Sequence, residues 1–295
     1  FASLDRIARQ GTILASNTSF LDLNRIAAAT SRPEWVVGLH FFSPANVMRL
    51  LEVVRGAETS KAVVATAMRL AKRIGKVAVL SGVCDGFIAN RLMAPRGAQA
   101  EAMMLEDTPI AEIDRVLVDY GFAMGHFQMM DLVGLDVIGR NATERTVMGD
   151  LVAVGRLGQK RGAGYYDYDD KRRSRFSDVT GKLIKEVAAA RGIASNRTSG
   201  DEALLGRLLY PVVNEGAKIL EEGIALRASD IDIAAVLGYN WPVYRGGPLF
   251  WADQVGLDRI VADMRALEVV HGETFRPAPL LVRLAEAGRR FGDKS

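Results

Sequence analysis

His40 lies inside the apolar run Val36-Val37-Gly38-Leu39-His40-Phe41-Phe42, and Glu52 lies inside Leu50-Leu51-Glu52-Val53-Val54. Both runs are short, rich in Val, Leu and Phe, and flanked by Pro, Gly or Ser, the pattern of strands buried on both faces of a sheet. An imidazole and a carboxylate buried singly each cost roughly several kcal/mol, and pairing with one another is the simplest remedy. A carboxylate on one ring nitrogen orients the imidazole, fixes its tautomer and favours the imidazolium, which suits the ring to take a proton near neutral pH. The pair therefore reads either as a general base with its orienting acid or as a buried structural pair.

Residues 12–17, 36–42, 50–54 and 76–81 have strand character, with helical stretches near 21–29 and 58–74. Short apolar strands alternating with helices predict an α/β sheet covered by helices. Beyond Asp85 the apolar residues recur at helical spacing, broken by Gly and Pro, which predicts an all-α remainder. Within it a duplication is visible. Arg91-Leu92 and Pro95 correspond to Arg207-Leu208 and Pro211, Ile113-Asp114 to Ile231-Asp232, and Asp131-Leu132-Val133-Gly134-Leu135-Asp136 to Asp253-Gln254-Val255-Gly256-Leu257-Asp258. Repeats of this length indicate a duplicated small domain, not a solenoid. The expected division is 1–83, 84–180 and 181–295. Gly155 to Tyr166 reads as a glycine-rich linker between the copies, and Lys171-Arg172-Arg173 with Arg175 as a solvated loop.

At 295 residues the chain is long enough for two or three domains. With 49% hydrophobic and 25% charged residues it has the composition of a soluble globular protein. No apolar stretch approaches the roughly 20 residues of a membrane span, so no membrane insertion is expected. The net charge of +3 lacks the one-sided basic excess of a nucleic-acid binder. One cysteine, Cys84, rules out an internal disulfide, reads as a buried structural thiol, and fits a reducing, cytoplasmic setting. No His, Asp and Glu cluster has metal spacing, so no metal is expected. His126 reads as a helix-cap or surface residue, His271 as exposed, and the pairs Met103-Met104 and Met129-Met130 as packing. The first residues, Phe1 to Ala8, have helical spacing without a cap, as though the chain starts inside a helix.

Four segments together, Ala15-Ser16-Asn17-Thr18-Ser19, Gly38-Leu39-His40-Phe41-Phe42-Ser43-Pro44, Met48-Arg49-Leu50-Leu51-Glu52-Val53 and Gly86-Phe87-Ile88-Ala89-Asn90-Arg91-Leu92, are similar to the NAD-dependent L-3-hydroxyacyl-CoA dehydrogenase family. The intervals agree as well: 21 residues from Ser19 to His40, 12 from His40 to Glu52 and 50 from His40 to Asn90. The resemblance covers nearly the whole chain. Two tandem helical copies and the wording Cys84-Asp85-Gly86-Phe87 resemble the dehydrogenase part of multifunctional β-oxidation enzymes, in which an enoyl-CoA hydratase domain comes first. It implies the C-terminal half of a Rossmann-like NAD-binding domain followed by two helical dehydrogenase C-terminal domains. It also implies NAD as cofactor and an acyl-CoA substrate, with oxidation of a (3S)-3-hydroxyacyl-CoA to the 3-oxoacyl-CoA.

By that resemblance His40 is the base, Glu52 orients it, Ser19 hydrogen-bonds the substrate oxygen and approaches the nicotinamide, and Asn90 presents its amide to the substrate carbonyl and to His40. Ser43 matches a position, commonly Asn in the family, beside the nicotinamide. Trp251 falls near a substrate-contact position, with plain packing as its other reading. Taken alone, Asn17-Thr18-Ser19 before Asp22 could instead cap the helix that follows. Gly206 stands opposite Asn90, so the second copy is expected to be structural. The family's G-x-G-x-x-G turn, which holds the pyrophosphate, is not in the sequence, so the expectation is an N-terminally truncated piece with weakened NAD binding. The alternative reading is a non-catalytic module of the same fold that binds CoA esters or dimerises.

Overall fold

In the computed structural model, which describes residues 1–138 and 145–293, a short helix α1 (Ala2–Ile7) precedes a four-stranded sheet. Its strands are β1 (Leu14–Ser16), β2 (Val36–Phe41), β3 (Leu50–Val54) and β4 (Val77–Ser81), with α2 (Leu23–Ala28) between β1 and β2 and α3 (Lys61–Arg73) between β3 and β4. The order is β1-β2-β3-β4. The outer pairs are parallel and joined by helices, whereas β2 and β3 are antiparallel. Side chains alternate across each strand. Val36 and Val54 join Leu14, Leu23, Ala27 and Phe87 in one cluster, and Val37 and Val53 join Val63 and Ala67 of α3 in another. The sheet is thus covered on both faces, as its continuous apolar strands require.

The antiparallel register sets His40 directly opposite Glu52 and Gly38 opposite Val54. Cross-strand partners project from the same face, so the two buried polar residues meet by register alone. Gly38 is part of that register, because a Cβ there would lie 2.6 Å from Val54 Cβ.

The remainder comprises α4 (Ala89–Leu105), α5 (Ile110–Tyr120), α6 (His126–Val133), α7 (Leu135–Ile138), α8 (Val147–Ala153), α9 (Asp178–Ala190), α10 (Asp201–Glu221), α11 (Ala228–Tyr239), α12 (Pro248–Val255), α13 (Leu257–His271) and α14 (Pro279–Glu286). It is not wholly helical: β5 (Asp167–Tyr168) and β6 (Ser174–Arg175) form a small antiparallel ribbon. Nor is the glycine-rich segment a linker. Tyr165 and Tyr166 are buried and their backbone N–H groups bond to Asp131, so burial of two aromatic rings overrides the turn-rich composition. Lys171, Arg172 and Arg175 are exposed, as a solvated loop should be.

The chain resolves into two compact units, residues 1–95 with 209–295, and residues 96–208. The boundaries cut α4 and α10, the first helices of the two copies, and so differ from the division drawn from the repeat. Arg91 on α4 bonds Glu215 at 2.7 Å and Glu222 at 2.6 and 2.8 Å. Arg207 on α10 bonds Gln99 at 3.0 Å and Glu106 at 2.5 Å. Gln99 and Glu106 are the repeat counterparts of Glu215 and Glu222. Each copy's arginine therefore reaches the same two repeat positions of the other.

Candidate active site

The turn that follows β1 brings Ser19 to the sheet's antiparallel pair. Asn17 Oδ1 accepts from Phe41 N–H at 2.9 Å and ties the turn to β2. Capping of α2 falls to other residues: Asp22 accepts from Asn24 N–H at 2.8 Å, and Thr18 Oγ1 accepts from Leu21 N–H at 2.9 Å. Ser19 is thereby released from the capping role that its sequence context allowed, and its Oγ lies 3.0 Å from His40 Nε2. On the other side of the ring, Nδ1 lies 2.6 Å from Glu52 Oε2.

Glu52 is fully buried. Its second oxygen accepts from the backbone N–H groups of Ile88 (3.0 Å) and Ala89 (2.9 Å) at the start of α4. A carboxylate at a helix N-terminus satisfies otherwise unpaired donors and sits at the favourable end of the helix dipole. One side chain thus holds both the imidazole and the helix that carries Asn90. The chain reaches α4 through Gly86 (φ 71°) and Phe87 (φ 53°). A bulky residue in the left-handed region costs about 1–2 kcal/mol, and here it turns the N–H groups toward Glu52 while Phe87 packs edge-on to His40 at 5.5 Å. Phe42 covers the ring from another side at 4.6 Å.

Asn90, half-buried, does not bond to His40 as expected. Its Oδ1 accepts from the hydroxyl of Tyr239, 2.6 Å away at the end of α11. This contact brings a side chain of the second copy to Asn90. The Tyr239 bond was found by the structure alone, since it joins residues 149 positions apart. Ser43 is exposed just beyond β2. Trp251 stacks on Tyr210 (6.2 Å) and packs against Trp241 (6.1 Å).

Other residues depart from expectation. His126 is neither a surface nor a capping residue: it opens α6 buried, beside Phe127 at 5.1 Å. Burial, with the charge of Arg96 adding to it, pushes its pKa down to about 3. His271 is half-buried against Phe275. Cys84 is half-buried, not enclosed; its thiol donates to Phe87 C=O at 3.2 Å, and burial pushes it up. Met103 and Met104 are core residues, and Met129 and Met130 are half-buried. Among the described residues no group of His, Cys, Asp and Glu could hold a metal ion, and no helix is long and apolar enough to cross a membrane.

A hydroxyl, an imidazole and a carboxylate in line can move a proton between a substrate hydroxyl and the ring, or can activate the serine as a nucleophile. The comparisons with known proteins give the family. Residues 1–84 match the family model described as 3-hydroxyacyl-CoA dehydrogenase, NAD binding domain. Residues 86–168 and again 204–295 match 3-hydroxyacyl-CoA dehydrogenase, C-terminal domain. The chain belongs to the 3-hydroxyacyl-CoA dehydrogenase family. The double match to the C-terminal model agrees with two tandem helical copies.

Relatives in this family include a peroxisomal bifunctional enzyme of Danio rerio, 39% identical over 98% of this chain and 44% of its own length. Another is the peroxisomal fatty acid beta-oxidation multifunctional protein MFP2 of Arabidopsis thaliana, 35% identical over 98% and 42%. The chain spans less than half the length of these relatives. Among solved structures, 3-hydroxybutyryl-CoA dehydrogenase from Escherichia coli K12 superposes with a TM-score of 0.78 at 28% identity, covering 97% of this chain and 78% of that one. The dehydrogenase part of multifunctional enzyme 1 from C. elegans gives 0.67 at 33% identity, covering 96% and 67%.

Proposed function

We propose that the chain oxidises (3S)-3-hydroxyacyl-CoA esters to 3-oxoacyl-CoA with NAD, as the dehydrogenase part of a fatty-acid β-oxidation enzyme. The observation that carries this is the line Ser19–His40–Glu52 with both hydrogen bonds formed, in a chain whose family is that of the dehydrogenases. A substrate hydroxyl between Ser19 Oγ and His40 Nε2 is oriented by the serine and gives its proton to Nε2. Glu52 on Nδ1 holds the ring in the tautomer that leaves Nε2 free to accept. The Asn90 amide donates to the substrate carbonyl.

The residues fit the nicotinamide end of the cofactor. Ser19 lies at the C-terminal end of β1, where ligands of parallel sheets gather, and Ser19 and exposed Ser43 are the side chains that would hold it there. NAD, when bound, supplies the hydride acceptor. The relatives' names, a bifunctional enzyme and a multifunctional protein, support a further domain as partner in the longer protein, and the resemblance implies that this domain is a hydratase. A single unpaired Cys84 fits a peroxisomal matrix as well as the cytoplasm, and the relatives' names favour the former.

The test is reduction of acetoacetyl-CoA by NADH, followed as loss of NADH absorbance. With NADH supplied well above its weakened affinity, the chain should turn over, and His40→Gln should lower kcat by about 10²–10⁴-fold. Binding of acetoacetyl-CoA without turnover would point to the non-catalytic module instead, and an unaffected His40→Gln would remove His40 as the base.

A further inference from the structure

We propose that Tyr239 is a positioning residue, lent by the second helical copy, that fixes which end of the Asn90 amide faces the substrate; this rests on the dehydrogenase reading of the site. An asparagine amide has one acceptor oxygen and two N–H donors, and rotation by half a turn exchanges them. The Tyr239 hydroxyl donates to Oδ1 at 2.6 Å, so the end left for a ligand is Nδ2, a donor suited to a carbonyl. Without the phenol both orientations are open, and the flipped one turns lone pairs toward the substrate carbonyl.

The tyrosine is itself held. Its ring stands edge-on to Phe42 at 6.4 Å, and Phe42 packs on His40. Asn240 takes the left-handed conformation that ends α11 there (φ 54°). One residue earlier, Gly238 approaches so closely that a Cβ would lie 2.9 Å from Leu50 Cδ2 and 3.5 Å from Ala89 Cβ. The first copy supplies a control. Its equivalent helix α5 also ends on a tyrosine, Tyr120, which stacks on Phe122, and the position matching Asn90 is Gly206, with no amide to orient. A tyrosine thus closes the equivalent helix in both copies, and the one in the second copy bonds the Asn90 amide.

The experiment is a double-mutant cycle on this chain with Tyr239→Phe, Asn90→Ala and both together, read by steady-state reduction of acetoacetyl-CoA and by calorimetric titration of the same ester. Tyr239→Phe should raise KM and Kd by about tenfold, the worth of one well-placed hydrogen bond, with kcat changed by less than about threefold, because misorientation acts as a smaller binding-competent fraction. In the Asn90→Ala background Tyr239→Phe should change neither by more than about twofold. A merely structural role would shift both backgrounds alike, and that result would overturn the proposal, as would a Tyr239→Phe variant indistinguishable from wild type. If wild type neither binds nor reduces the ester, the dehydrogenase reading falls and this inference with it. If wild type is active and Tyr239→Phe is silent, only the positioning role falls.

Discussion

The two helical copies use one device with different hardware. In the first, Asp114 on α5 accepts from the N–H groups of Phe127 (2.9 Å) and Gln128 (3.1 Å), capping α6. In the second, Asp232 on α11 accepts from Leu249 (2.8 Å) and Phe250 (3.3 Å), capping α12. A second buried carboxylate follows in each: Asp131 accepts from Tyr165 and Tyr166 N–H, and Asp253 accepts from Phe291 and Gly292 N–H. The first copy adds two phenols, Tyr166 to Asp114 and Tyr168 to Asp131, each at 2.9 Å. Gly292, which stands where the first copy has Tyr166, has no hydroxyl to offer. Duplication has kept the backbone-to-carboxylate bonds that define the fold and let the side-chain bonds diverge. The same divergence placed Asn90 in one copy and Gly206 in the other.

The harshest way to break the comparison is at the glycines that let each aspartate approach. A Cβ on Gly125 would lie 2.2 Å from Asp114, and one on Gly247 would lie 2.3 Å from Asp232. Gly247 also has φ 102°, whereas Gly125 has an ordinary φ of −71°. Gly247→Ala should therefore cost about 4 kcal/mol and Gly125→Ala about 3 kcal/mol. All three tryptophans, Trp35, Trp241 and Trp251, lie in the unit of residues 1–95 and 209–295. Urea melts read by their fluorescence follow Gly247→Ala, and hydrogen exchange across α5 and α6 follows Gly125→Ala. Equal costs would mean that strain at Gly247 is relieved elsewhere.

Next comes the second carboxylate. Asp131→Ala leaves two backbone donors and a phenol unpaired, for about 3 kcal/mol, and Asp253→Ala leaves two backbone donors, for about 2 kcal/mol. The same hydrogen-exchange and fluorescence readouts apply, and a larger cost at Asp253 would reverse the ranking of the copies.

Much of this was legible before any coordinates. The apolar strand runs gave the sheet, and polar residues at His40 and Glu52 gave the buried pair, because register follows strand pattern. The repeat wording around Asp114 and Asp131 recurred at Asp232 and Asp253. What the linear text concealed depends on distant packing: the antiparallel β2–β3 pairing, the folding-in of Tyr165 and Tyr166 from a glycine-rich stretch, the burial of His126, and the reach of Tyr239 to a residue 149 positions away. Local composition carries no record of such partners.

The smallest substitution effect is the loss of a phenol, and pH reads it. Burial raises Asp114 to about 6 and Asp232 to about 7, the backbone N–H donors pull against it in both, and the Tyr166 hydroxyl pulls further at Asp114 alone. A folded-state pKa above the unfolded value near 3.8 means that the unfolded chain ionises first as pH rises. The contribution is fully present below about pH 4 and is lost as pH climbs through 6 for Asp114 and through 7 for Asp232, about 2–4 kcal/mol for each group. Asp232→Asn should flatten the fluorescence-detected loss of stability between pH 4 and 7. Tyr166→Phe should cost about 1 kcal/mol and, by removing a donor that favours the charged form, move the Asp114 midpoint upward toward that of Asp232. Carboxyl carbon shifts followed by NMR titration measure this directly. A midpoint that stays near 6 would assign the difference between the copies to the depth of the two pockets and not to the hydroxyl that distinguishes them.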